Sequence, residues 1–349
     1  MTRSHEELAP GPEAGAVGAP AGAARPAGRR RRRRGQRRPP VGRWRRGHPA
    51  AALALLTALA LAGHRRVPSL GVQLGSLWES ALPWAGAVVP AVLLAAALRR
   101  APVPACAAVV LAAVWAVVFG PVLVSGGPPP GGGAGLTVVT HNVSAENPDP
   151  AGTARALLAA RPDLVALEEV TDAALPAYQH VLDAELPHHT RIGTVALWSR
   201  YPVTDSRRLT IDPGWSRSLR AEVQGPGGPL AVYVVHLASV RLNLTGFATA
   251  HRDRNLAALG AALDEEPLHR VLLLGDLNTA AGDHALAPVT SRLSSAQDTA
   301  GGGFGFTWPA AFPLARIDHV LTRGLPATAA WTLPATSSDH RPAAARLAA

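Results

Sequence analysis

The stretch Ala101–Val124 carries no charged side chain and is apolar almost throughout. A bilayer crossing takes about 20 such residues, and core helices of soluble domains seldom run this long without a charge. The stretch therefore reads as a membrane span, ending in "SGGPPPGGGAG", a linker composition. Two apolar runs precede it. Leu77–Leu98 holds Glu79 near one end and Pro90 inside, while Pro49–Gly63 is short for a span. About three transmembrane helices are expected between residues 47 and 125. In the first run, "ALALAG" offers signal cleavage after Ala62 as a competing fate, but the basic region ahead of it is much longer than signal peptides have.

Charge sets the expected orientation. The chain's net charge is +10, yet residues 1–46 hold 13 Arg against Glu6, Glu7 and Glu13, whereas residues 136–349 hold 17 Arg against 20 acidic residues. The basicity belongs to a tail rich in Pro, Gly and Ala with no apolar period, expected to be disordered. Its "RRRRRR" run, Arg29–Arg34, suits a cytoplasmic tail beside a membrane, and Arg99 and Arg100, between the second and third runs, belong on the same side. Arg65 and Arg66 then fall outside, a minor violation. Two or three spans give the same outcome: a multi-pass cell-membrane protein whose C-terminal domain is extracytoplasmic. Binders of long nucleic acid carry positive charge on the binding face, so an acidic C-terminal part weakens that reading. The one cysteine, Cys106, excludes an intrachain disulfide and a multi-Cys metal site.

Past the linker at 126–135, strand and helix patterns alternate through residues 136–349. "LTVVTHNV" reads as a strand ending in Asn142, "DPAGTARALLAARPDLVAL" as a helix started by Asp-Pro, and "DLVALEEV" as a strand ending in Glu168 and Glu169. "TVALWSRYPV", "SLRAEV" and "LAVYVVHLA" continue as strands, the last carrying His236. "FATAHRDRNLAALGAALDEE" has helical spacing. "VLLLGDLNTA" then runs a buried strand into Asp276 and Asn278, which an extended chain would point to one side. "ARIDHVLTRG" brings Asp318, and "SSDHRPAAARL" brings Asp339 and His340. His188–His189 reads as loop. Acids, amides and histidines recurring at strand ends are what phosphoester hydrolysis needs. Oxygen ligands hold Mg²⁺, a carboxylate orients water, and imidazoles stabilise charge on phosphorus.

In order, "THNV", "PDLVALEEV", "GTVALWSRYPV", "VVHLAS", "LLLGDLNT", "ARIDHVL" and "SSDHRP" resemble the motifs of the endonuclease/exonuclease/phosphatase superfamily over residues 136–349. The resemblance implies an α/β fold, a DNase I-like four-layer α-β-β-α sandwich, here preceded by N-terminal transmembrane helices. It implies a Mg²⁺-dependent hydrolase of phosphoester bonds, with Mn²⁺ as an alternative. Asn142 and Glu169 would be metal ligands with Asp339 beside the metal. Asp276 would orient or deprotonate the attacking water, and Asn278 would hold it and the phosphate. His236 would contact the scissile phosphate, and His340 would do so from the opposite side, aligned and kept basic by Asp318. Glu168 stands where the family often has Gln. Arg217 and Arg220 would clamp phosphate oxygens, and Trp308 in "GFTWP" would shape the substrate pocket; a solvated strand and a packed tryptophan are the structural alternatives.

The substrate expected first is a small or membrane-borne phosphoester outside the cell, because the catalytic part lacks a basic excess and is tethered to a bilayer. The layout is similar to membrane-anchored actinobacterial members, which implies a lipid-linked phosphate of wall synthesis. The alternative is an anchored extracellular nuclease using a stripe of Arg207, Arg208, Arg217, Arg220 and Arg241. The lipid bilayer is the expected partner, and no protein partner is expected.

Overall fold

The computed structural model of the chain describes residues 47–64, 74–124, 126, 135–212, 214–243 and 246–348. The Arg-rich tail, Arg65, Arg66 and most of the Gly/Pro linker lie outside the described residues. Four helices come first: α1 (His48–Ala62), α2 (Leu74–Ala81), α3 (Val88–Arg99) and α4 (Pro102–Val124), with a 3₁₀ stretch, Leu82–Ala87, joining α2 to α3. Two helical segments, Trp78–Arg99 and Pro102–Val124, are long and apolar enough to cross a bilayer. At 15 residues, α1 is about 22 Å long, short of the roughly 30 Å hydrocarbon layer. The expected count of three is thus two by length.

The second apolar run also differs from its expected role. Glu79 is buried, and its Oε2 accepts from the backbone N–H (2.9 Å) and sits 2.6 Å from Nδ1 of His284. Ser76 hydrogen-bonds Asp283, which also takes Arg252 Nη1 at 3.0 Å. The start of this run is therefore docked on the C-terminal domain instead of entering a span at Leu77. Backbone and ring contacts extend the junction: Trp84 Nε1 donates to Leu314 O at 2.9 Å, and Gly303 N–H to Val122 O at 2.9 Å. The domain packs directly on the helices.

After Gly135 the chain follows the order β1 (Leu136–Asn142), α5 (Pro150–Leu158), β2 (Leu164–Glu168), α6 (Leu175–Leu182), β3 (His188–Ile192), β4 (Val195–Ser199), β5 (Val203–Arg208), β6 (Ser218–Gly225) and β7 (Gly228–Val235). A short hairpin, β8 (Arg241–Asn243) and β9 (Gly246–Ala248), leads to α7 (Ala250–Asp264) and β10 (Val271–Asp276). The end comprises α8 (Ala287–Thr290), β11 (Ser294–Ser295), α9 (Ala296–Ala300), β12 (Asp318–Arg323), β13 (Ala327–Thr332) and β14 (Ala343–Leu347). One sheet runs β13-β14-β1-β2-β4-β3 and the other β11-β12-β10-β7-β6-β5.

Alternation within strands explains the layers. On β7, Leu230, Val232 and Val234 face the other sheet, while Ala231, Tyr233 and Val235 pack under α7 with Leu256, Leu259 and Leu263. On β1, Leu136 and Val138 enter the inter-sheet core, and Val139 packs with Leu157 of α5 and Tyr178 of α6. Strands buried on both faces read as continuous apolar runs, and the result is the four-layer α-β-β-α sandwich. The helix α5 starts where Asp149 caps it, accepting from Gly152 N–H at 2.8 Å, with Pro150 in the first turn.

Two readings of single segments change. "TVALWSRYPV" is two strands, β4 and β5, which lie in different sheets because the chain turns at Arg200–Pro202. His188 and His189 begin β3, an edge strand paired with β4, where His189 stacks on Trp198 at 5.7 Å. Their exposed edge position hides the period that marks inner strands.

Candidate active site

Parallel pairing gathers the strand ends. β1 and β2 run parallel, as do β7 and β10, so Asn142, Glu168, His236 and Asp276 all emerge at one rim. β12 and β14 run antiparallel to β10 and β1, so it is their beginnings that reach this rim. Asp318 thereby lies opposite Asp276 in register, and His340 sits three residues ahead of Ala343, the partner of Thr140. Gly275 permits the close approach of the central strands: its φ is +142°, and a Cβ there would lie 1.9 Å from Val235 O.

Asn142 joins the two sheets. Its Nδ2 donates to Glu169 Oε1 and to Asp276 Oδ2, both at 3.1 Å, and its Oδ1 accepts from Ser144 N–H at 3.0 Å. The nitrogen of this amide thus faces the carboxylates; half a turn about the last side-chain bond would present its oxygen to a cation. Glu169 follows β2 in a left-handed conformation, φ +63°, and this turn, not strand alternation, aims it at the site while Glu168 stays inside. Burial pushes Glu169 up, but the Asn142 amide and His236 outweigh it and hold the carboxyl below its ordinary range. Glu168 accepts from Thr140 Oγ1 at 3.0 Å, and burial, then the charge of Asp318, raise it well above the ordinary range.

Asp276 is 1% exposed, and burial, then the charge of Asp318, push it up to about 7. Asn278 does not share its strand face. β10 stops at Asp276, and Asn278 turns left-handed at φ +47°, its N–H donating to Asp276 Oδ1 at 2.8 Å and its Nδ2 to Leu237 O at 3.0 Å. The pair act together through this turn instead of projecting in parallel.

The two imidazoles differ. Nδ1 of His340 meets Asp318 Oδ2 at 2.9 Å, and its Nε2 lies 3.9 Å from Asp276 Oδ2. Burial opposes its charge, but Asp318 overrides this and raises it to about 10, while Asp318 itself is lowered. His236 is lowered to about 4, chiefly by burial. Its Nε2 stands 3.8 Å from both Glu169 Oε1 and Asp276 Oδ2, and neither ring nitrogen has a hydrogen-bond partner. One charged and one neutral imidazole therefore face the carboxylates from two sides.

The donors suit a hard divalent cation. Asp276, Asp318 and His340 offer ligand atoms within 4.8 Å of one another, but Asp318 and His340 are spent on each other, and an imidazolium repels a cation. The residues that fit are Glu169 and the turned amide of Asn142, oxygen donors of the kind Mg²⁺ takes, with Asp276 beside them. The buried, unpartnered Nε2 of His236 faces the same point. Asp339 is exposed at the rim, where its Oδ2 accepts from Trp308 Nε1 at 3.4 Å. Trp308 is 41% exposed, so it is a rim residue and not a packed core tryptophan.

Arg220 does not reach the site, contrary to the expected phosphate clamp. Its side chain is buried in the domain, donating through Nε (3.1 Å) and Nη2 (3.0 Å) to Glu266, which also accepts from Tyr233 OH at 2.6 Å. It cannot clamp a phosphate, because alternation along β6 turns it to the helix side of the sheet. Arg220→Ala is expected to lower stability by about 3–5 kcal/mol, since Glu266 would be left charged and buried. kcat/KM per folded molecule should stay within a few-fold of wild type. Thermal unfolding and steady-state rates check this; lost turnover with unchanged stability would restore the substrate role. Arg217 keeps a place near the site: its carbonyl accepts from His236 N–H at 2.9 Å and its guanidinium lies 4.2 Å from the Trp215 ring centroid. The side chain of Arg241 lies outside the described residues.

Sequence reasoning missed two positioning residues. Thr307 Oγ1 accepts from Asp318 N–H at 3.3 Å, and Ser338 Oγ donates to Asn142 O at 2.7 Å while accepting from His340 N–H at 3.0 Å. Ser338 ties the His340 loop to the end of β1. Its place in "SSDH" is the one hint available.

A family model described as Endonuclease/Exonuclease/phosphatase family matches residues 139–340. The uncharacterized protein YbhP of Escherichia coli K12 is 30% identical over 161 residues, 44% of this chain and 61% of that protein. The match thus spans about three-fifths of the relative's length. Among solved structures, TDP2 of D. rerio complexed with single strand DNA product superimposes with TM-score 0.52 at 18% identity, covering 62% of this chain and 99% of that one. An endonuclease/exonuclease/phosphatase family protein from Bacteroides thetaiotaomicron gives 0.51 at 14% identity, covering 61% and 97%. At these identities both establish the fold alone.

Proposed function

This chain belongs to the endonuclease/exonuclease/phosphatase family, and on that premise we propose that it is a membrane-anchored, divalent-metal-dependent hydrolase whose catalytic domain works outside the cytoplasm on a small or membrane-borne phosphoester. A lipid-linked phosphate of cell-wall synthesis is the substrate we favour. The observation that carries the hydrolase reading is the contact of Asn142 with both Glu169 and Asp276, flanked by His236 and His340.

The residues divide the chemistry. Glu169 and Asn142 would hold Mg²⁺ or Mn²⁺, which when bound would polarise a non-bridging phosphate oxygen. Asp276, poised near 7, takes a proton from the attacking water, which the side-chain oxygen of Asn278 helps to place. The His340 imidazolium donates from Nε2 to the phosphate as charge builds, with Asp318 fixing the ring through Nδ1. His236, neutral at physiological pH, contacts the phosphate from the side of Glu169. Asp339 and Trp308 line the entrance.

Membrane anchoring rests on an inverted surface. Leu55, Leu56 and Leu59 of α1, Leu94 and Leu98 of α3 and Val109, Val117 and Val124 of α4 point outward, a continuous apolar exterior that soluble proteins avoid. The placement of the helix ends supports the orientation we infer. A Cβ at Gly47 would touch Pro104 and Ala101, so the chain leaving the basic tail enters beside Arg99 and Arg100. The catalytic domain docks at the opposite ends, on α2 and Val122. The nuclease alternative loses support because its arginine stripe would need Arg220, which is committed to Glu266.

The test uses the full chain in nanodiscs with plasmid DNA, a lipid pyrophosphate or a soluble phosphodiester. Hydrolysis is expected to vanish with EDTA, return with Mg²⁺, and disappear in Glu169→Ala. Metal-dependent nicking of DNA without release from the lipid would put the nuclease reading first. Protease added to intact cells should remove the catalytic domain; survival until lysis would reverse the topology.

A further inference from the structure

We propose that the groove between α3, α4 and the loop Gly301–Phe312 receives the hydrocarbon tail of a membrane lipid whose phosphate ester enters the carboxylate–histidine cluster. The proposal rests on the hydrolase reading above and adds to it a tail-binding site that belongs half to the helices and half to the catalytic domain.

The cavity measures about 450 Å³ and is lined by Trp84, Val89, Ala112 and Trp115 from the helical side and by Phe304 and Phe306 from the loop. That volume lies within the roughly 300–1,000 Å³ of ordinary ligand sites. Its walls are ring faces and methyl groups. Phe304 and Phe306 stack at 5.0 Å, Trp84 stacks on Phe306 at 5.7 Å, and Trp115 meets Phe304 edge-on at 6.2 Å. Both indole N–H groups are already spent on backbone carbonyls, Trp84 on Leu314 and Trp115 on Pro83, each at 2.9 Å. A polar head would find no partner there, whereas an alkyl or isoprenoid chain would.

Two observations choose a lipid as the occupant. The helical wall belongs to the segments long and apolar enough to cross a bilayer, and their neighbouring side chains Leu93, Leu94, Val109 and Val110 face outward. The groove is thus continuous with the surface that acyl chains would cover. Its other end reaches the chemistry. Phe306 lines the groove, and the next residue, Thr307, about 3.8 Å on by Cα, accepts from Asp318 N–H. Beyond it Trp308 bonds Asp339, and Phe312 and Leu314 are 66% and 36% exposed. Among the described residues of the catalytic domain, the exposed large hydrophobic side chains are these three and Trp215. Surface apolarity is thus concentrated between groove and active site, as a lipid moving its head into the cluster requires.

The experiment compares hydrolysis of ethyl and hexadecyl p-nitrophenyl phosphate by the full chain in phosphatidylcholine nanodiscs. Ala112→Phe fills the groove and is expected to lower the hexadecyl-to-ethyl ratio of kcat/KM at least tenfold from the wild-type ratio, through KM. A ratio equal to wild type overturns the proposal. Partitioning into the bilayer affects both proteins alike and cancels. A diazirine-tipped hexadecyl phosphate gives a readout independent of turnover: its adducts on the wild-type chain should concentrate at Trp84, Trp115 and 304–312. Adducts spread over Leu93, Leu94, Val109 and Val110 would mean annular lipid only and overturn the proposal. If Ala112→Phe loses both activities through misfolding, the labelling decides. If wild type cleaves neither ester, the hydrolase reading fails, and the labelling still reports on the groove.

Discussion

Asp276→Asn should lower kcat about a thousandfold at neutral pH, within the 10²–10⁴-fold that a positioned acid or base contributes. The substitution is isosteric. Its amide oxygen can still accept from Asn278 N–H, but it cannot take a proton from water. Stability should move the other way. In the folded chain Asp276 is raised to about 7 from an ordinary value of 3.8, by burial and then by Asp318. The native state therefore holds its proton more tightly than the unfolded chain does. Native stability falls as pH climbs from about 4 to about 7, and Asn removes that loss. In EDTA, the variant's melting temperature should exceed wild type at pH 8 and match it near pH 4. An equal deficit at both pH values would show that Asp276 is an ordinary ionised carboxylate. Full turnover in the variant would remove it from the mechanism.

Asp318→Asn should reduce kcat/KM by about 10²–10³-fold, the loss typical when one preorganised donor to developing charge is removed. Burial alone would lower His340; its rise to about 10 is owed first to Asp318. An amide can still accept from Nδ1 but carries no charge, so the ring should become neutral within the physiological range. The alkaline limb of the rate profile should then move down from near 10 by several units, and ring-proton titration by NMR should report the same shift. Stability gives a second readout. The raised His340 stabilises fully below its unfolded value of 6.5 and loses this as pH rises through about 10. The lowered Asp318 stabilises above its unfolded value of 3.8 and loses this as pH falls. The pair therefore contributes most between about pH 4 and 6.5, where the variant's deficit should be largest. An alkaline limb that stays in place would mean another group holds the charge.

Much of the site was legible because strand burial on both faces leaves a plain mark. The apolar runs ending at Asn142, Glu168 and Asp276 needed only period and composition to be read as inner strands, and motif order supplied the roles. What failed did so for identifiable reasons. The pairing of Asp276 with Asn278 was drawn on an extended chain, but the strand stops at Asp276, two residues short of Asn278. Arg220 looked like a phosphate clamp because Arg217 and Arg220 lie close in sequence, yet its partner Glu266 is 46 positions away. Glu79 looked like a stray acid in a membrane run, while its partner is 205 positions away.

The amino-acid sequence by itself determined which segments form inner strands and helices, the oxygen-rich ligand types, and the division into basic tail, apolar helices and acidic catalytic part. These follow from local periodicity and composition, which each short segment carries alone. Only the tertiary structure decided that Asp276 sits near 7, that His340 is charged while His236 is neutral, and that the helices dock on the domain through Ser76, Glu79 and Trp84. Protonation depends on burial and on charges brought within about 4 Å of one another, and docking depends on partners that no local pattern names.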